Sequence, residues 1–165
     1  MAEGKLIYLS LGSNLGDRAA NLESAIEALA GVGVRVLRRS SLYETEPVDL
    51  LEQPWFLNCV IEAETSLAPR ELLEKLQGVE QQLGSRKLMP KGPRIVDLDV
   101  LFYGSHVIRE PGIEIPHPRL AQRRFVLVPL AEIAPGLPHP VLGKTAAELL
   151  AVTQDQSAVR IWRAA

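Results

Sequence analysis

The sequence predicts an α+β fold of the split-βαβ, ferredoxin-like class, an antiparallel sheet with helices packed on it. Three observations predict it. Apolar runs of strand character and segments of helical spacing follow one another in the order β-α-β-β-α-β. Glycine, proline and small polar residues punctuate these segments at short intervals. No internal repeat or low-complexity linker interrupts the 165 residues, so we expect a single domain over 1–165, long enough to bury a proper core.

KLIYLSLG, from Lys5, reads as a buried strand ended by Gly12. SNLGD follows as a turn, with Asp17 placed to accept from the first amides of a helix. Leu22, Ala25, Ile26 and Leu29 recur at helical spacing, and Gly31 and Gly33 close the helix. VRVLRRSSLYET, from Val34, reads as the second strand, EPVDLLEQP as a loop, and WFLNCVIEAET, from Trp55, as the third strand. The second helix follows SLAP, tolerates Pro69 in its first turn, buries Leu72, Leu73, Leu76, Val79 and Leu83, and ends at Gly84. SRKLMPKGPR is a basic loop, and the strand of GPRIVDLDVLFYG comes next. IEIPHPRLAQRRF, Ile113 to Phe125, reads as an irregular stretch, and PLAEIAP as a short helical turn stopped near Pro135. Thr145 and Glu148 have capping-box spacing ahead of a last short helix, and VRIW, from Val159, reads as a closing edge strand. In the split-βαβ arrangement the helices cover one face of the sheet.

Composition excludes several function classes. Hydrophobic residues make up 47% and charged residues 23%, the balance of a globular protein. A net charge of −2 gives no reason to expect nucleic-acid or acidic-membrane binding. The lone Cys59 rules out an intramolecular disulfide, and its apolar run FLNCVIEAE marks it as a core residue. No apolar stretch reaches membrane-spanning length and no signal peptide is visible, so we expect a cytoplasmic location.

The chemistry concentrates in GPRIVDLDVLFYG, Gly92 to Gly104. Read as a strand, Val96, Leu98, Val100 and Phe102 form one apolar face, while Asp97 and Asp99 share the other with Ile95, Leu101 and Tyr103. Two carboxylates that close repel unless a proton or cation lies between them. Mg²⁺ takes carboxylate oxygens and completes its shell with water and substrate phosphates. Arg94 adds a planar fork suited to phosphate. A strand start whose acids merely face water fits the pattern equally. Basic residues flank the pair in sequence: Arg86, Lys87, Lys91 and Arg94 upstream, and Arg119, Arg123, Arg124 and His117 downstream. Together these types suit a metal-bound polyphosphate. His117, between Pro116 and Pro118, is a candidate phosphate contact or proton carrier, or a plain loop histidine. Asn58, in an apolar strand, needs a partner that either a flat heteroaromatic ligand or a neighbouring loop can supply. Phe56 and Phe125 stack on a ring or serve the core. GSNLGD has neither the P-loop nor the dinucleotide-binding spacing, and is read as a connection.

Taken in order, LSLGSNLGDR, LYETEP, QPWFLNCV, ETSLAPRELLEKLQGVE, GPRIVDLDVLFYG and IPHPRLAQRRFVLVPLAEIAP resemble the 6-hydroxymethyl-7,8-dihydropterin pyrophosphokinases (HPPK) of the folate pathway, from about Leu6 to Pro135. The resemblance implies an HPPK-type α/β/α sandwich and transfer of pyrophosphate from ATP to the pterin hydroxymethyl oxygen, releasing AMP. It implies that Asp97 and Asp99 hold two Mg²⁺ ions, that Arg94, His117 and Arg123 contact phosphates, and that Phe56, Asn58 and Phe125 line the pterin pocket with Thr45 and Val48. Gln77 and Glu80 match positions near the adenosine. Two departures stand out: Lys91 where many members have Trp before GPR, and Ser85 where members carry Arg, with Arg86 and Lys87 as the neighbouring cations able to replace it. The expected partners are ATP and the pterin, with no nucleic acid or membrane, and the expected state is a monomer or weak homodimer. Two rivals are a ligand- or RNA-binding module on the same sheet and a two-metal phosphohydrolase.

Overall fold

The structure is a computed structural model that describes residues 4–48, 51–84 and 94–163. Among the described residues eight strands and four helices follow in order: β1 (Lys5–Ser13), α1 (Arg18–Ala30), β2 (Val34–Arg39), β3 (Tyr43–Thr45), β4 (Phe56–Thr65), α2 (Pro69–Gln82), β5 (Asp97–Tyr103), β6 (Ile108–Glu110), β7 (Ile113–Ile115), α3 (Arg124–Ile133), α4 (Ala146–Val152) and β8 (Val159–Ile161), with a 3-10 turn at Leu120–Gln122. The main sheet runs β5-β1-β4-β3-β8, with β2 also against β4, and every pairing in it is antiparallel. The order β5-β1-β4-β2 is the expected split-βαβ core.

Alternation on β1 and β4 sends Ile7, Leu9, Leu11, Leu57, Cys59 and Ile61 to one face, where they pack on Leu22, Ala25 and Leu29 of α1 and Leu72, Leu76 and Val79 of α2. Burial pushes the Cys59 thiol up to about 12, so it behaves as a small core residue. The opposite face carries Tyr8, Val60, Leu101 and Phe102 against Val126, Leu127 and Leu130 of α3 and Leu149 of α4. Helices therefore cover both faces, and the fold is an α/β/α sandwich. The split-βαβ pattern alone accounts for only the first helical layer.

Asp17 caps α1 as read from sequence, accepting from the Ala20 amide at 3.1 Å. The Thr145–Glu148 capping box of α4 also forms. Four readings need correction. Gly12 does not end β1, which runs on to Ser13. The expected second strand is two, broken where the Ser40 side chain accepts the Val60 amide in place of a backbone carbonyl. β5 contains a register shift between its pairs with Tyr8 and Leu9, leaving Leu101 as an extra residue. Beyond it the faces exchange: Phe102 joins the α3 side and Tyr103 the α1–α2 side, against the simple alternation. Finally, PLAEIAP is the end of a longer helix that begins at Arg124 and runs through Pro129. The irregular stretch also holds β7, paired with β6 across Pro111-Gly112, where Gly112 takes φ 80°. Among the described residues no helix is long and apolar enough to cross a membrane.

Candidate active site

The site forms on the α3 face of the sheet, at the end that the helix leaves uncovered. Three neighbouring strands deliver it in register: Asp97 and Asp99 on β5 stand opposite Gly12 and Ser10 on β1, and Gly12 stands opposite Asn58 on β4. Period-two alternation places all these residues on one face, and before the bulge at Leu101 that face carries the acids. Thr45 from β3, Val48 and Gln53 from the segment between β3 and β4, Phe56 from β4, and Arg123 and Phe125 from the start of α3 complete a cavity of about 280 Å³.

Asn58 is buried and doubly held. Its Oδ1 accepts from the Thr45 hydroxyl, and its Nδ2 donates to the Leu11 carbonyl at 3.4 Å. The amide plane is thus fixed at the cavity floor. Gly12 makes room for it, since a Cβ there would lie 2.6 Å from the Asn58 Nδ2 and 3.5 Å from the Phe56 ring. Phe56 and Phe125 are both half-buried and both line the cavity. The Arg123 guanidinium lies 5.4 Å from the Phe125 ring centre.

Arg94 is buried, with its Nε 3.9 Å from Asp97 Oδ1. Its backbone is gripped by Asn14: Asn14 N–H donates to the Arg94 carbonyl at 3.0 Å, and the Arg94 amide donates to Asn14 Oδ1 at 2.7 Å. Asn14 Nδ2 also donates to Gln53 Oε1 and the Pro54 carbonyl, each at 2.9 Å. One buried amide therefore ties the end of β1 to both segments that enclose the cavity.

Asp99 also lines a second cavity of about 320 Å³ on the outer side of β5, formed with Leu73, Leu98, Val100, Ile113, Glu114 and His117. The His117 amide donates to the Leu101 carbonyl at 3.1 Å, and its Nδ1 accepts from the Arg119 amide at 3.2 Å. Burial pushes the imidazole down to about 4, helped by the Arg123 and Arg119 cations, against a smaller upward pull from Glu114. His117 is thus neutral near pH 7, with the Arg123 and Arg119 cations close enough to act on it.

Of the residues singled out in the sequence, Arg94, Asp97, Asp99, Arg123, Thr45, Val48, Phe56, Asn58 and Phe125 line the first cavity. His117 lines the second. Glu80 accepts the Leu98 amide at 2.8 Å, holding α2 against β5, and Gln77 is exposed on α2. Arg86, Lys87 and Lys91, with Ser85, lie outside the described residues. Sequence reading missed Ser10, Gly12, Asn14 and Gln53. The visible signal was a glycine followed within two positions by a polar residue at the end of an otherwise apolar strand.

Residues 8–135 match the family "7,8-dihydro-6-hydroxymethylpterin-pyrophosphokinase (HPPK)". The chain is 43% identical over 155 residues to the 2-amino-4-hydroxy-6-hydroxymethyldihydropteridine pyrophosphokinase of Methylorubrum extorquens, covering 93% of this chain and 97% of the relative. It is 40% identical over 159 residues to the protein of that name from Bacillus subtilis, covering 96% and 90%. The folic acid synthesis protein fol1 of Pneumocystis carinii is 46% identical over 141 residues, 86% of this chain, and the chain spans 19% of that much longer relative. The crystal structure of a doubly substituted variant of Plasmodium falciparum HPPK-DHPS with pterin and p-hydroxybenzoate shares the fold, with a TM-score of 0.75 at 17% identity over 92% of this chain and 44% of that one. Sequence match, relatives and fold converge: this chain belongs to the 7,8-dihydro-6-hydroxymethylpterin-pyrophosphokinase family.

Proposed function

We propose that the chain transfers pyrophosphate from ATP to the hydroxymethyl oxygen of 6-hydroxymethyl-7,8-dihydropterin, giving the pterin diphosphate and AMP as a step of tetrahydrofolate biosynthesis. One observation carries the reading: Asp99, two residues along the strand from Asp97, lines both the cavity floored by Asn58, which Asp97 also lines, and the cavity walled by His117. A two-substrate phosphoryl transfer needs that adjacency.

The carboxylates suit a hard divalent cation. Among the described residues no group of three or more His, Cys, Asp or Glu gathers to enclose a metal. A two-carboxylate site fits Mg²⁺ that draws its remaining oxygens from water and triphosphate. Asp97 and Asp99 would hold two such ions, which when bound neutralise the triphosphate and lower the barrier to in-line displacement. The remaining work falls to the chain. Phe56 and Phe125 sandwich the pterin, Asn58 and Thr45 read its polar edge, and Val48 closes over it. Arg94 and Arg123 take phosphate oxygens, and neutral His117 offers its unoccupied Nε2 side to the nucleotide. Gln77, Glu80, Arg86 and Lys87 serve the nucleotide end. The protein acts as a monomer or weak homodimer in the cytoplasm.

The test is to incubate the full chain with ATP, Mg²⁺ and the pterin and to follow nucleotides by chromatography. AMP that requires both pterin and metal is the expected product. ADP or free phosphate would replace this reading with a kinase or a hydrolase on the same scaffold.

A further inference from the structure

The family match ends at residue 135, yet the chain continues into a segment bonded to Glu46 and Thr45, which line the first cavity, and to Arg124, which stands between the lining residues Arg123 and Phe125. Thr153–Ala158 has no regular structure but is knitted by its own side chains. Thr153 Oγ1 accepts from the Asp155 amide at 3.3 Å, and Asp155 Oδ1 accepts from the Ser157 amide and hydroxyl. The other Asp155 oxygen, Oδ2, accepts from the Arg124 amide at 2.8 Å, and the Ser157 carbonyl accepts from Arg124 Nη1 at 2.9 Å. Arg124 opens α3, and the residue before it, Arg123, provides no side-chain cap. Asp155 therefore supplies from the C-terminal segment the acceptor that a helix start normally finds next door. A few residues on, the Glu46 amide donates to the Ala158 carbonyl at 3.1 Å, the Ala158 amide donates to Glu46 Oε1 at 2.9 Å, and Val159 pairs with Thr45.

We infer that residues 155–159 form a strap that sets the spacing of the pterin cavity, with Asp155 as its positioning residue. On one side the strap holds Thr45 and Glu46, and on the other it holds Arg124, whose neighbours Arg123 and Phe125 face the ligand. The inference rests on the pterin reading above. A flat ring sandwiched between Phe56 and Phe125 needs both gaps near 3.5–4.0 Å, and opening either by about 1 Å forfeits a large part of that contact. Phe56 stands on β4 within the sheet, so the adjustable wall is the start of α3, where the strap is tied. The cavity that holds His117 contains no strap residue. Loss of the strap therefore acts mainly on the pterin, through Phe125, Thr45 and Glu46, and reaches the nucleotide only through Arg123.

The test compares wild type, Asp155→Ala and Ser157→Ala as full chains, reading KM for each substrate and amide hydrogen exchange. Asp155→Ala is expected to raise the pterin KM about tenfold while the ATP KM, reached only through Arg123, rises by no more than about threefold. Exchange should quicken around residues 45–46 and 124–127. Ser157→Ala, which keeps the Asp155–Arg124 contact, should move the pterin KM only about two- to threefold in the same direction. If Asp155→Ala does not fold, exchange in Ser157→Ala decides the question: quickening around residues 45–46 and 124–127 supports the strap and unchanged exchange there overturns it. Unchanged pterin KM and exchange, or a parallel rise in both KM values, overturns the strap. If wild type forms no AMP, the pyrophosphokinase reading falls. The exchange comparison needs no turnover and still decides whether the segment fixes both walls.

Discussion

At the scale of single residues, two positions separate chemistry from shape. Asp97 and Asp99 are half-exposed side chains on a strand whose packing face points away from them, so removing either should leave the fold intact. Asp97→Ala and Asp99→Ala are each expected to reduce kcat about 10³-fold with the fold retained, the melting temperature falling more in Asp97→Ala, which takes the carboxylate from beside buried Arg94. Retained turnover in both variants would sink the metal assignment. Gly12 works by absence. A methyl group there meets the Asn58 amide at 2.6 Å, and that amide is already committed to Thr45 and Leu11. Overpacking of this kind costs roughly 1–3 kcal/mol. Gly12→Ala should accordingly raise the pterin KM about tenfold or more while the ATP KM holds, as measured by steady-state kinetics.

At the scale of elements, the helix starts show how far local signals reach. Asp17 lines neither cavity and its carboxylate caps α1, so Asp17→Ala should lower stability by about 1 kcal/mol in chemical denaturation without moving either KM. That cap, the α4 capping box and the buried stripes of α1 and α2 were legible because each depends on residues within a few positions of one another. The acids and aromatics of the site were legible because their side-chain types name their chemistry. What was hidden rests on contacts remote in sequence. Nothing near Arg124 announces that its cap arrives from Asp155, and nothing in SSLYET shows that Ser40 stands in for a backbone acceptor. Pro129 made α3 look like a short turn. The helix holds because Val126, Leu127, Leu130 and Ile133 are buried on the sheet, which outweighs one missing amide. The bulge at Leu101 is invisible for a different reason: an apolar run of DLDVLFY fits either face, so only pairing with β1 fixes which side each residue takes.

At the scale of the whole molecule, titration of His117 couples to stability. His117 has a folded value of about 4, below its ordinary 6.5, so the unfolded chain binds the extra proton first. Its contribution is fully present above pH 6.5 and is lost as pH falls toward 4, and buried His139 shifts in the same direction. The melting temperature of the ligand-free protein should drop between these limits, and His117→Gln should shrink that drop, as read by circular dichroism. The sheet order has a further consequence, for synthesis. β1 is made first, yet it sits between β4 and β5, and the β5 partner of Gly12 is Asp97. At elongation rates of about 5–20 residues per second, that wait is on the order of ten seconds. During it Ile7, Leu9 and Leu11 have no finished sheet to enter, so the strand that makes the mature domain most secure leaves the growing polypeptide most open to aggregation and most dependent on chaperones.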